Sequence, residues 1–294
     1  MTKDLNIAVV IATLGRPEVA SGTIRRIIDR QSLKPVTIII SCVQASDAGE
    51  AAGWPEVKVL QGPAGLAAQR NTALKALTDD IDIVTFFDDD FVPDPDWLAN
   101  AARIFRSQPD VVGLTGDVIA DGIKGPGLSF SEVDRMLSEN RPSGAGRVVE
   151  PFSPYGCNMA FRRSAIGSLR FDERLILYGW LEDRDFGAAL AAKGGRMIKN
   201  FDLRGVHMGV KGGRMAGGRL GYSQIINPIY MLRKGTMTPA QVFDHVFRNI
   251  SSNVVRSAYP EKFIDRRGRL RGNLRAIADL LRGKIEPERA KLSK

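Results

Sequence analysis

The 294-residue chain is poor in the residues that build soft-ligand metal centres, with two cysteines, Cys42 and Cys157, and two histidines, His207 and His245. The cysteines lie far apart, without zinc-knuckle spacing or a disulfide framework. That usage fits a reducing compartment and leaves any metal to lean on carboxylates. No window of eighteen or more apolar residues occurs, so no membrane-spanning helix is expected. The N-terminus, Met1-Thr2-Lys3-Asp4-Leu5-Asn6, carries an acid and lacks the apolar stretch of a secretory signal, so a cytoplasmic, soluble or surface-bound protein is expected. No Gly-x-Gly-x-x-Gly follows the first apolar run and no Gly-x-x-x-x-Gly-Lys-Ser/Thr occurs, which disfavours a dinucleotide dehydrogenase and a P-loop enzyme.

What the chain does have is an uneven charge. It holds 42 basic and 33 acidic side chains, a net +9. Residues 211–294 carry 18 basic against 6 acidic, or +12, whereas residues 1–210 carry 24 against 27, or −3. The basicity is a C-terminal property, and it suggests an anionic surface as partner there.

Apolar, β-branched runs alternate with helical spacing through the first two thirds. Asn6 to Thr13, Val36 to Val43, Val57 to Leu60, Ile81 to Phe87 and Val111 to Ile119 read as strands, and Phe152 to Phe161 as a return to the sheet. Val19 to Arg30, Gly65 to Leu77, a segment capped by Asp96 and running through Ile104-Phe105, and Trp180 to Lys193 read as helices. Asp121 to Gly146, rich in glycine, proline and charge, reads as an excursion or loop. Continuous apolar strands alternating with helices imply an α/β fold, a mainly parallel sheet flanked by helices, with functional groups at the carboxyl ends of strands. Beyond Gly212-Gly213 come three helical segments, Arg219 to Lys234, Pro239 to Ala258 and Phe263 to Gly283. The middle one is striped by Val242, Phe243, Val246, Phe247, Ile250 and Val254.

Asp88-Asp89-Asp90, at the end of a buried strand, is the sharpest feature. Three adjacent carboxylates repel one another, and a divalent ion is the simplest way to satisfy them if they are buried. Alternation along extended backbone puts Asp88 and Asp90 on one side and Asp89 on the other. A solvated acidic turn is the competing reading.

Arg16 after the first strand, Gln69-Arg70-Asn71 before the acidic strand, Phe87-Asp88-Asp89-Asp90, and Glu182-Asp183 opening a later helix form an ordered set. In that order, with Ala12-Thr13-Leu14-Gly15-Arg16 and Asn158-Met159-Ala160-Phe161-Arg162-Arg163, it resembles family 2 glycosyltransferases of the GT-A fold over about residues 6 to 207. The resemblance implies a Rossmann-like GT-A catalytic domain at 1–210 and a C-terminal helical extension at 211–294. It implies an inverting, metal-dependent transfer of a sugar from a nucleotide-diphosphate-sugar donor to a hydroxyl of a glycan or lipid-linked acceptor, in polysaccharide or glycoconjugate synthesis. UDP is the first expectation for the nucleotide, with dTDP and GDP as alternatives.

Thr13 and Arg16 would then border the nucleotide, Arg70 and Asn71 fix base and ribose, Asp88 and Asp89 belong to the donor site, and Asp90 with Asp88 bind Mn2+ or Mg2+. The segment Ser41-Cys42-Val43-Gln44 departs from the family, which often has an aspartate there to contact the nucleobase. Either Gln44 or a backbone group takes that place, or the base is not uracil.

Five further features each have two readings. Asp183, with Glu182 second, is either the base that takes the acceptor proton or an acid complementing the helix N-terminus. His207 is either a third metal ligand or a structural histidine. Tyr178 and Trp180 either wall the acceptor or belong to the core. Lys211-Gly212-Gly213-Arg214 with Gly217-Gly218-Arg219 is either a basic lid or a connector. The C-terminal helices, with Arg-rich faces, suit docking on anionic lipid at the inner face of the cell membrane, or packing on the catalytic domain.

Two rivals come from other classes. A nucleotidyltransferase would carry a basic, glycine-rich loop directly after the first strand, and Thr13 to Pro17 is too short for one. A nucleic-acid-binding protein would leave Asp88, Asp90 and Asp183 without a role, so no nucleic-acid partner is expected.

Overall fold

The computed structural model describes residues 5–140, 146–212, 216–259 and 261–292. From the N-terminus the chain forms β1 (Ile7–Ala12), α1 (Pro17–Arg30), β2 (Thr37–Cys42), a 3-10 segment (Ala45–Gly53), β3 (Val57–Gln61), α2 (Leu66–Lys75), β4 (Ile83–Asp88) and β5 (Phe91–Pro93). It continues with α3 (Trp97–Ser107), β6 (Val111–Asp121), α4 (Phe130–Glu139), β7 (Val148–Val149), β8 (Asn158–Arg162), α5 (Arg163–Ile166), α6 (Glu182–Ala191) and β9 (Arg196–His207). Last come α7 (Gly217–Lys234), α8 (Pro239–Ala258), α9 (Arg266–Leu281) and a 3-10 turn (Pro287–Leu292). These elements divide into two compact units.

The first unit, Met1–Ala64, Ala68–Arg170 and Ala189–Gly213, contains a nine-stranded sheet among the described residues. Its order is β3-β2-β1-β4-β8-β6-β9-β5, with β7 added beside β9. β1 to β4, β6 and β9 run one way and β5, β7 and β8 the other, so the sheet is mixed and mainly parallel, as expected. β1 and β2 are apolar without alternation because both faces are covered. Ile24 and Ile27 of α1 and Trp97, Leu98, Ala101 and Phe105 of α3 share one core with Val9, Ile11, Ile38, Ile40 and Phe87.

Several expectations shift at this level. The segment from Asp121 to Gly146 contains a helix, α4, opened by a capping box between Ser129 and Glu132. β8 begins at Asn158, not at Phe152. Asp96 stands at the start of α3 but makes no capping bond, and its carboxylate accepts instead from the Ser32 hydroxyl at 2.6 Å. β9 and β5 were not legible as strands, and they matter most, because β9 delivers His207 directly opposite Phe91 of β5.

The second unit, Gly65–Ala67, Phe171–Ala188 and Arg214–Lys294, is helical. α7, α8 and α9 fall within two to three residues of the three segments expected from periodicity. α7 and α9 approach closely because they meet at glycines: a Cβ on Gly221 would lie 2.0 Å from the Arg269 carbonyl oxygen, and one on Gly272 2.1 Å from that of Gly218. Tyr222, Ile225, Ile226, Ala276 and Ala290 form the core there. A buried polar knot ties the three helices, in which Asn253 Nδ2 donates to Gln224 Oε1 and Asn273 Oδ1, both at 2.9 Å.

Candidate active site

In the first unit the acidic run is a turn anchored by aromatics on either side. Phe87 and Phe91 are both buried, stacked at 5.4 Å, and Trp97 meets Phe87 edge-on at 4.8 Å. Burial of each such ring contributes roughly 1.5–3 kcal/mol and anchors the backbone on either side of the run. The solvated-turn reading is excluded for Asp89 and Asp90, both of which are buried.

Asp88 and Asp90 group together as expected from sequence, but Asp89 and Asp90 stand in a turn and share Arg16, whose Nη1 lies 3.5 Å from Asp90 Oδ2. Asp89 turns toward β1, where the Thr13 hydroxyl donates to Oδ2 at 2.7 Å and the Arg16 guanidinium pairs with Oδ1 at 2.5 Å. Asp88 and Asp90 with His207 offer ligand atoms that all lie within 4.8 Å of one another. Two carboxylates and an imidazole this close could hold a divalent ion.

The surrounding bonds fix that group. Asp90 Oδ1 lies 3.3 Å from His207 Nε2, and its Oδ2 accepts from the Val210 backbone N–H at 2.9 Å. Gly209 makes the latter possible: its φ is +66°, and a Cβ there would lie 2.3 Å from the Gly122 carbonyl carbon. His207 Nδ1 lies 3.2 Å from Asp121 Oδ1, and the Tyr155 hydroxyl reaches Asp121 Oδ2 at 3.4 Å. A carboxylate behind a ligating histidine is the usual device for aiming the other ring nitrogen at a metal.

The electrostatics follow from this packing. Burial, reinforced by the neighbouring Asp90 and Asp88, pushes the Asp89 carboxyl up to about 7 against the pull of Arg16 and Thr13. Asp90 is also buried, yet His207, Arg16 and the Val210 N–H together hold it below the usual carboxylate range. Against burial, Asp121 and Asp90 raise His207 to about 10.

The other sequence-predicted residues of this unit are clamped around the same turn. Arg70, fully buried in α2, reaches Asp88 Oδ1 at 3.2 Å and the Gly156 carbonyl at 2.8 Å. Asn71 is buried beside it. Gln69 Nε2 donates to the Thr13 and Ser41 carbonyls at 2.7 and 2.9 Å and so ties α2 to the ends of β1 and β2.

Three residues missed from sequence emerge here. Asp121 and Tyr155 support His207, and Asp47 accepts from the backbone N–H groups of Gly15 and Gln44 at 2.9 and 3.0 Å. Asp47 therefore braces the loop after β1, and the Gln44 side chain is exposed. A weak signal existed for Asp121, which stands at the carboxyl end of a strand, and for Asp47, the third residue after Gln44 in a capping box.

In the second unit Glu182 and Asp183 open α6, as expected. Glu182 is buried, whereas Asp183 is partly exposed and its Oδ1 accepts from the Arg184 N–H at 2.7 Å. The third acid of the run, Asp185, is consumed structurally by Lys234 and Thr236, each at 2.6 Å. Leu177 and Leu181 hold φ of 62° and 70°, backbone strain of about 1–3 kcal/mol each just ahead of the acidic pair. Tyr178 is exposed, and Trp180 is half-buried with its carbonyl taken by Asn227. Of the suggested lid, Gly213 and Arg214 lie outside the described residues, and Lys211 Nζ donates to the Gly122 and Ile123 carbonyls at 2.9 Å each.

The description Glycosyl transferase family 2 belongs to a family model that matches residues 8–169, more than half of the chain. The chain belongs to glycosyl transferase family 2. That membership carries the enzyme class, a glycosyltransferase, and the matched residues include Asp88 and Asp90, whereas His207 of β9 and the Glu182-Asp183 pair lie beyond them. Glucosyl-dolichyl phosphate glucuronosyltransferase of Haloferax volcanii is 30% identical over 83 residues, 28% of this chain and 26% of that protein, so the match spans about a quarter of the relative's length. Among solved structures, the mannosyltransferase PcManGT from Pyrobaculum calidifontis, in complex with GDP-Man and Mn2+, is similar with a TM-score of 0.57 at 16% identity, over 99% of this chain and 79% of that one. TarS 1-349 of S. aureus gives a TM-score of 0.60 at 14% identity, over 98% and 83%. At such identities these likenesses establish the fold, which is of the GT-A type. Among the described residues no helix is long and apolar enough to cross a membrane.

Proposed function

We propose that this family member transfers a sugar from a nucleotide-diphosphate-sugar donor to a hydroxyl of a glycan or lipid-linked acceptor, with inversion and with a divalent ion, in polysaccharide or glycoconjugate synthesis. The observation that carries this reading is the grouping of Asp88, Asp90 and His207 with ligand atoms within 4.8 Å. When bound there, the ion supplies charge stabilisation for the departing diphosphate. Thr13 and Arg16 lock Asp89. Arg70 and Asn71 fix base and ribose, and Asp88 approaches the ribose.

Asp183 is assigned the acceptor proton, because a base must be reachable and Asp183 is the partly exposed member of the acidic pair. Glu182 stands second, and Tyr178 and Trp180 are assigned to the acceptor. One carboxylate suffices for inversion. Residues 1–210 would carry this chemistry and 211–294 form a basic helical extension, although in packing Phe171–Ala188 group with the helices. Support for Mn2+ comes from the PcManGT complex. UDP remains the first nucleotide to test, with GDP and dTDP beside it.

The test is calorimetric titration with UDP, dTDP and GDP, with and without Mn2+. One nucleotide should bind in a Mn2+-dependent way, and Asp90→Ala should remove that dependence. Equal affinity in the variant would end the metal assignment. Asp183→Asn should retain donor binding and lose transfer, and retained turnover would move the base role to Glu182.

A further inference from the structure

α8 carries more apolar surface than its packing uses. Of the stripe read from sequence, Val242 is buried, and Val246 and Ile250 pack into the core of the second unit. Phe243, Phe247 and Val254 do not: they are 70%, 59% and 51% exposed. They recur at intervals of four and seven residues, which puts them along one side of the helix. The two rings stack at 5.7 Å with an interplanar angle of 11°, so they form a continuous ridge. Val255 and Tyr259 extend the exposed apolar surface toward the end of the helix. Single exposed apolar residues are ordinary, but a row of this kind marks an interaction surface.

The exposed positions of α9 combine the same two chemistries. Gly272, Asn273, Ala276 and Asp279 face inward, while Arg267, Arg271, Leu274, Leu281 and Arg282 are exposed. Arg267 and Arg271 have no acid within ion-pair distance among the described residues. Their charge adds to the +12 of residues 211–294.

We propose that the exposed faces of α8 and α9 dock on an anionic lipid bilayer, with Phe243 and Phe247 entering the boundary between headgroups and acyl chains and the arginines meeting lipid phosphates. The charge selects this occupant. A second copy would bring another +12 against the first, which opposes self-association through this surface. A bilayer offers both things the surface presents for, an apolar interior for the ridge and negative headgroups for the arginines. Since no described helix can span the membrane, the association is peripheral.

The experiment is sedimentation of the full chain with vesicles of phosphatidylcholine alone or mixed with phosphatidylglycerol, without donor or metal, so its outcome is independent of the transferase reading. The protein should partition onto the anionic vesicles only. The double variant Phe243→Ser with Phe247→Ser should lose about tenfold or more in partition, and Arg267→Glu with Arg271→Glu should do the same. Because all four side chains are exposed, the far-UV circular dichroism spectrum and the melting temperature should be unchanged and serve as the control for folding. Unchanged partition of the phenylalanine variant would overturn the proposal. So would a wild-type dimer, without vesicle binding, that the phenylalanine variant breaks, or tighter binding to single-stranded RNA than to vesicles.

Discussion

Asp121 shows how much of a site depends on residues that touch no substrate. Its carboxylate sits behind His207 at 3.2 Å and is itself held by Tyr155, so it fixes which imidazole nitrogen faces Asp90. Replacing it with alanine should lower Mn2+ affinity by roughly ten- to a hundredfold, as loss of such supporting partners usually does. Metal-free nucleotide binding should hold, and Asp121→Asn should recover part of the loss. Titration of Mn2+ into the three proteins checks this, and equal affinities would mean that Asp90 alone orients the ring. The Asp88-Asp89-Asp90 run was legible because it is contiguous and follows an apolar strand. The roles of Asp121 and Asp47 were not, because their partners lie 86 and 32 residues away. Their local signals, a strand end and a capping box, do not name the distant partner that the sheet brings to each.

Elements with a clean period were legible and those with mixed composition were not. β1, β2, α7 and α8 follow directly from apolar runs or helical spacing. β9 was hidden by Arg196, Lys199, Asp202 and Arg204, whose charges are absorbed by partners such as Asp117, 2.6 Å from Lys199, and Asp94, 2.7 Å from Arg204. α4 was hidden by its glycine-rich approach, although its capping box was readable. Its docking on α1 makes a pH prediction. Asp134 of α4 accepts from Arg26 and Arg30 of α1, and chiefly through Arg26 its carboxyl is held down at about 2. A depressed folded-state value means that the stabilisation is complete above about pH 4 and is lost as pH falls through about 2. Allowing for solvent screening, it is on the order of 1 kcal/mol. Urea midpoints measured down that range should fall less for Arg26→Ala than for the unsubstituted chain. A parallel decline in both would show that the pair contributes nothing.

At the scale of the whole molecule, charge is divided unevenly along the chain. Residues 1–210 total −3 and contain the triple aspartate, so they present no basic field to attract an anionic donor from a distance. Donor affinity should instead come from short contacts inside a buried pocket, where salt screens poorly. The +12 of residues 211–294 acts the opposite way, through exposed arginines facing solvent, where the screening length is about 10 Å at 0.1 M salt and about 3 Å at 1 M. One preparation should therefore show two salt dependences. With Mn2+ saturating, nucleotide affinity should change by less than about threefold between roughly 0.05 and 0.5 M salt, while partition onto anionic vesicles should fall by about tenfold or more. The two titrations can be run on the same protein in the same buffers. A steep fall in nucleotide affinity would mean that basic residues contribute directly to donor capture, and it would place the charge of the C-terminal helices in the chemistry and not at a membrane.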